Sequence, residues 1–367
     1  MRAYGLVLAG GGAKGAYEMG AWKALSEIGV EIEAIAGTSI GAINGAMIAQ
    51  GDFDTAMKLW SNAELSKGIA ISDELKETDN LFSFSNFPQL FHEIVKNGGV
   101  DITPAKRLVE ECINESLVRQ SKIPLGIVTF QLNNMKPVEM FVEDMPEGQL
   151  IDYIMASARF PGLIKQGPDN SQYLDGGVYD NAPIGLLRKR GINRLIVVDI
   201  SSRKGIGHKE DWSCADVIFI RPNDIKELGE SFEFDREMND KRMNMGYFDT
   251  KKAFGYFGGF EYYFLQKEFR AMLKSYGYET CAQLEGLAKE YGIERLKVYS
   301  RKEFISQLKQ ADNERETENE TAAEALKNHV PQIFQAQTEK VAKRWISSKK
   351  LRTTYPKAFK VLDAIKN

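Results

Sequence analysis

Two glycine-rich turns, each lying between a short apolar run and a segment of helical spacing, constrain this chain more than any other feature. The first, Gly10-Gly11-Gly12-Ala13-Lys14-Gly15, follows the apolar residues 4–9. It precedes Ala16–Ile28, where Met19, Trp22, Leu25 and Ile28 recur at helical spacing before Gly29 stops the pattern. The second, Gly37-Thr38-Ser39-Ile40-Gly41, joins a strand at residues 32–36 to a helix at residues 40–50. Further strands are expected at residues 123–132, 138–142, 172–174, 195–200 and 217–220, with helices at 150–159 and 184–190. Strands separated by crossover helices form a mainly parallel sheet covered on both faces, and such sheets place ligands at the carboxyl ends of their strands.

With 43% apolar and 27% charged residues in a length of 367, the chain has the composition of an ordinary folded protein. The length allows one large domain with an appendage. The alternation ends near Pro222, so an α/β region is expected over residues 1–222. A mostly helical region, partly packed on the first, is expected over residues 223–367. Nine aromatic residues crowd into positions 245–264, and no strands are evident beyond residue 222. The net charge of −3 gives no reason to expect a nucleic-acid partner, but it conceals a division. Residues 341–367 carry eight basic side chains and one acidic, a net of +7, which leaves −10 for residues 1–340.

Cys112, Cys214 and Cys281 are scattered and form no CxxC pair, which fits a reducing compartment. Residues 4–8 read as a buried strand rather than the core of a signal peptide, because the apolar run is short and breaks into glycines. Residues 34–51 carry no charge, but their small and polar members make them too weakly apolar for a membrane span. A cytoplasmic protein with peripheral membrane contact is the expectation.

A serine on a sharp strand-to-helix turn is held in a strained backbone with its hydroxyl above the sheet, and Gly37 and Gly41 remove side chains that would clash there. Ser39 is therefore the candidate nucleophile. The first turn reads two ways. Gly10, Gly12 and Gly15 satisfy the GxGxxG pattern of a nucleotide-binding oxidoreductase or binding module. That reading requires an acidic residue at the end of the second strand, where this chain has Ala36 and Gly37; Glu31 and Glu33 stand at its beginning. As an oxyanion hole, consecutive glycines offer backbone N–H groups at a helix amino terminus, where negative charge is favoured. Lys14 is expected to point into solvent.

A serine nucleophile needs a base. His92, His208 and His329 each lie in contexts that favour surface or packing roles. Asp175, at the end of a short strand and followed by Gly176 and Gly177, is the better candidate, with Asp199 the rival on position and Asp180 on proximity. Burial can raise the proton affinity of such a carboxylate enough for it to act as a base.

In order and context, Gly10 to Gly15, Gly37 to Gly41 and Asp175-Gly176-Gly177 resemble the three blocks of the patatin-like phospholipase family in its bacterial form. Further likeness lies in residues 156–162, Asn181-Ala182-Pro183 and Gly246-Tyr247-Phe248-Asp249-Thr250, and it fades beyond about residue 260. The resemblance implies a three-layer α/β/α fold with a patatin-like catalytic domain, a Ser39–Asp175 dyad without histidine and an oxyanion hole from the amides of Gly11 and Gly12. It implies hydrolysis of lipid acyl esters without metal or cofactor. On that reading the substrate is a phospholipid or other lipid ester. The aromatic stretch 245–264 and the basic tail 341–367 are then candidates for contact with a membrane surface.

Overall fold

The computed structural model describes residues 3–61, 103–158, 172–201, 215–231, 233–327 and 350–366. By internal contacts the chain divides into Met1–Ala253 and Phe254–Asn367.

In the first unit, β1 (Tyr4–Leu8), β2 (Ile32–Thr38), β3 (Leu125–Gln131), β4 (Lys136–Phe141), β5 (Tyr173–Asp175), β6 (Arg194–Val198) and β7 (Asp216–Ile220) form one sheet. Its order is β4-β3-β2-β1-β6-β7, with β5 pairing β3. The five strands from β3 to β7 along this order are parallel, and β4 and β5 run antiparallel to β3. The helices are α1 (Ala16–Ile28), α2 (Ile40–Gln50), α3 (Phe53–Ser61), α4 (Thr103–Cys112), α5 (Glu115–Gln120), α6 (Leu150–Ser157), α7 (Ile184–Arg188) and α8 (Arg236–Ala253).

Alternation along the strands sorts the core into two faces. Val7, Ala34, Ala36, Val128 and Val197 pack with Ile184, Leu186 and Leu187 of α7. Leu8, Ile35 and Leu125 lie against Gly45 of α2 on the other. Central strands buried on both faces have no polar side to show, which is why β1 reads as an unbroken apolar run. The uncharged stretch at residues 34–51 is the end of β2, the turn and α2, a helix buried from Ile40 to Ala49.

The expected boundary at residue 222 moves to the end of α8. This helix packs on α1 at contact distance: a Cβ added at Gly20 would stand 1.8 Å from the Met243 carbonyl oxygen, and one at Gly246 1.9 Å from that of Tyr17. The Tyr17 hydroxyl donates to Asp249 at 2.7 Å, so the residues 246–250 that resembled the family serve this helix pair.

The second unit holds α9 (Gln266–Tyr276), α10 (Tyr278–Glu290), α11 (Arg301–Lys327) and α12 (Pro356–Lys366). It also contains three short strands that sequence did not reveal: β8 (Phe257–Gly258), β9 (Tyr263–Leu265) and β10 (Val298–Tyr299), in the order β10-β9-β8. Strands of two or three residues are too short to show a period. Tyr262 and Phe264 sit in a core with Phe269, Met272, Leu284, Tyr299 and Phe304, and Tyr263 is also buried. Three of the nine aromatics, Tyr262, Tyr263 and Phe264, are therefore interior, five are part-buried, and Tyr256 is exposed. In the described part of the basic tail, Arg352 pairs with Glu316 and Asp363, and Lys357 pairs with Glu279. Among the described residues no helix is long and apolar enough to cross a membrane.

Candidate active site

The register of β3 brings the two chemical turns together. Its one edge is occupied along its length by β4, which leaves β2 and β5 to share the other. Thr38 of β2 pairs with Val128, and Asp175 of β5 pairs with the next residue, Thr129. β5 thus runs end-on into the carboxyl terminus of β2. Gly176 seals the junction, since a Cβ there would lie 2.2 Å from the Val128 carbonyl oxygen.

Ser39 follows directly, with φ 56° and ψ −123°. A non-glycine residue held there costs on the order of 1–3 kcal/mol and persists only where its surroundings enforce it. Three contacts do so. The Ser39 N–H donates to Ser157 Oγ at 2.9 Å, and that hydroxyl donates to the Val128 carbonyl at 2.6 Å. Thr38 Oγ1 donates to the Asp180 carbonyl at 2.9 Å. Gly37 and Gly41 close on each other, a Cβ at Gly37 falling 2.2 Å from the Gly41 carbonyl oxygen.

The Asp175 carboxylate accepts the Gly177 N–H at 2.7 Å, and the Ser39 side chain acts on it to hold its proton affinity down. It is half-buried, and the protein packed around it pushes its pKa up to about 6 despite both. Its rivals are engaged elsewhere. Asp199 accepts from the N–H and hydroxyl of Ser201, and Asp180 accepts from the Ala182 N–H at 3.1 Å. All three histidines lie outside the described residues.

The glycine turn leaves the end of β1, at the point where the sheet extends to β2 on one side and β6 on the other. The Gly10 N–H is taken by the Asn181 carbonyl at 3.0 Å, and Asn181 Nδ2 donates to the Gly10 carbonyl at 3.0 Å. Gly10 is therefore a clamped position rather than a free donor. Among the described residues the N–H groups of Gly11 and Gly12 donate to no protein acceptor. Gly15 lies deeper, where an added Cβ would meet Ile40, Asn44 and Trp60, and its carbonyl accepts from Asn44 Nδ2 at 3.0 Å. Lys14 is buried, contrary to its expected place in solvent, because the short 3-10 turn Gly12–Gly15 packs into the core. Behind the turn Glu18 is fully buried, accepts from Asn44 at 2.7 Å, and is held well above the usual carboxylate range by that burial.

Sequence reasoning missed Ser157 and Asn181 as supports of the two turns. Both fell in segments noted only for family likeness, and a side chain's tie to a distant backbone leaves no local signal. Among the described residues no cluster of three or more His, Cys, Asp or Glu is placed to hold a metal ion.

A parallel α/β/α sheet with a strained serine at the end of one strand, an aspartate at the end of another and a glycine turn beside them has the patatin fold. The family model described as Patatin-like phospholipase matches residues 6–188, about half of the chain, and the chain belongs to that family. Lysophospholipase NTE1 of Saccharomyces cerevisiae is 29% identical over 202 residues, which cover 55% of this chain and 11% of that protein. Patatin-like phospholipase domain-containing protein 7 of Mus musculus is 28% identical over 208 residues, covering 55% and 14%. The chain matches only about a tenth of the length of these relatives. The crystal structure of VipD from Legionella pneumophila aligns with a TM-score of 0.45 at 13% identity, covering 98% of this chain and 86% of that one.

Proposed function

We propose that the chain is a serine lipid acyl hydrolase of phospholipase A or lysophospholipase type, working through a Ser39–Asp175 dyad and without a metal. The observation that carries this reading is the meeting, on adjacent residues of β3, of the strained Ser39 turn and a carboxylate whose proton affinity is raised. Ser39 Oγ attacks the ester carbonyl carbon while its proton passes to Asp175. The carbonyl oxygen becomes an oxyanion, which the Gly11 and Gly12 N–H groups receive. Collapse breaks the bond to the alcohol oxygen, which takes the proton from Asp175 and leaves an acyl-enzyme. Water then attacks the acyl carbonyl, giving its proton to Asp175; the proton returns to Ser39 as the fatty acid departs. A carboxylate raised to about 6 is a better proton acceptor than an ordinary aspartate and is still ionised at neutral pH.

The family and the lysophospholipase among its relatives support a lipid ester as substrate. Such substrates sit at membrane surfaces, so the charge division gives the basic tail a docking role. Ser39→Ala and Asp175→Asn should each lower release of fatty acid from a phospholipid, or of nitrophenol from an acyl nitrophenyl ester, by at least about 10³-fold. Activity in Ser39→Ala equal to that of the parent would remove the proposal.

A further inference from the structure

Arg242, midway along α8, is fully buried with all five N–H donors in use. Nε donates to the Leu228 carbonyl at 2.7 Å. Nη1 donates to the Glu233 carbonyl at 2.6 Å and to Asn239 Oδ1 at 2.9 Å. Nη2 donates to the Glu230 carbonyl at 3.3 Å and to the Glu233 carboxylate at 3.0 Å. A guanidinium gripping three main-chain carbonyls of one short segment fixes the backbone there, as a simple charge pair would not.

That segment sits on the glycine turn. The Ser231 carbonyl accepts the Ala13 N–H at 2.7 Å. The same oxygen would lie 2.1 Å from a Cβ at Gly12, whose φ is 59°. A second path leads from Arg242 to the other end of the turn. Asn239 Nδ2 donates to the Trp60 carbonyl at 3.2 Å, Trp60 Nε1 to Asn44 Oδ1 at 3.1 Å, and Asn44 Nδ2 to the Gly15 carbonyl at 3.0 Å. The second path is buried throughout and the first only in part, and they close on opposite ends of four residues.

We infer that Arg242 is a positioning residue for the glycine turn, holding through the Ser231 carbonyl and the Asn239–Trp60–Asn44 chain the backbone whose Gly11 and Gly12 amides find no acceptor among the described residues. It touches no substrate. Its kinetic consequence rests on the serine hydrolase reading; its conformational consequence does not.

Arg242→Lys keeps the charge but has three donors for five acceptors and no planar fork. Turnover of an acyl nitrophenyl ester is measured per active site, titrated with a fluorophosphonate that labels Ser39, so that any unfolded fraction drops out. The variant should lose about 10²-fold in kcat per titrated site, the scale of one misplaced oxyanion donor, with KM within about twofold of the parent. Amide deuterium uptake at residues 11–15 should rise about tenfold or more while β1 and β6 stay as protected as in the parent. Unchanged kcat per site overturns the inference, and so does unchanged uptake in the turn. If the parent shows no Ser39-dependent turnover but the variant's turn loosens, the hydrolase reading falls and the tether stands. Should Arg242→Lys fail to fold, Asn239→Asp, which keeps the side chain's size and its acceptor for Arg242 but removes the Nδ2–H donor to the Trp60 carbonyl, carries the same test with a smaller change in the same direction.

Discussion

Ser39 and Asp175 have opposite relations to their surroundings. Ser39 is held in a backbone conformation it would not choose, by Ser157 and by glycines that leave no room for another path. Asp175 is held in an environment its charge does not favour, and the result is a pKa of about 6. The base must be ionised to accept a proton, so kcat/KM should rise with pH through an apparent pKa near 6 and level off above it. A pH–rate profile on a neutral ester checks this; an acid limb near the usual aspartate value of about 4 would mean that burial does not set this group. The stability linkage has the opposite sense. A carboxyl raised in the folded state binds its proton more tightly than in the unfolded chain, so its stabilising contribution is lost as pH rises through about 6. On the proposed mechanism the site would work best where Asp175 contributes least to the fold.

Among the elements, the register of β3 and the α1–α8 contact decide most. The antiparallel β5 is only three residues long, yet pairing beside the end of β2 is what delivers Asp175 to Ser39. The α1–α8 pair allows main chain to approach main chain, and it carries Arg242 to the segment over the glycine turn. Gly20→Ala would place a methyl group 1.8 Å from the Met243 carbonyl oxygen, backbone that cannot rotate away. The helices must separate, and a loss of about 1–3 kcal/mol is expected by urea unfolding, with α8 the first element to gain deuterium exchange. No loss would show that the two helices can spread freely. The turns and the helices α1, α2, α6 and α7 were legible from turn residues, stop signals and apolar spacing, whereas α8 was not placed. The short strands β8, β9 and β10 were not legible, because pairing over two or three residues is decided by partners distant in sequence.

Over the whole molecule, the charge is divided more sharply than its net of −3 indicates, with +7 in residues 341–367. Within the described part of that tail, Arg352 and Lys357 are already paired with acidic groups of the same unit, so only part of the charge is free to meet lipid. Each basic residue near an anionic surface contributes about 1 kcal/mol, screened by salt. The full chain should sediment with anionic vesicles at low ionic strength, and much less so when it ends at residue 339 or when salt is raised. Equal binding by both chains would remove the docking role.

The local grammar of the chain is enough to determine the alternating strands and helices, the serine in its strand-to-helix turn and the Asp-Gly-Gly motif, because backbone geometry restricts which residues can occupy such turns. Tertiary structure decided what no local pattern records. Pairing on β3 set Asp175 beside the end of β2 while Asp199 and Asp180 accept other donors, the Asn181 carbonyl took the Gly10 N–H, and packing buried Lys14. It also joined Arg242 to a turn more than two hundred positions earlier. A turn is specified by its neighbours in sequence, whereas a hydrogen bond between distant backbones is specified only once the chain has folded.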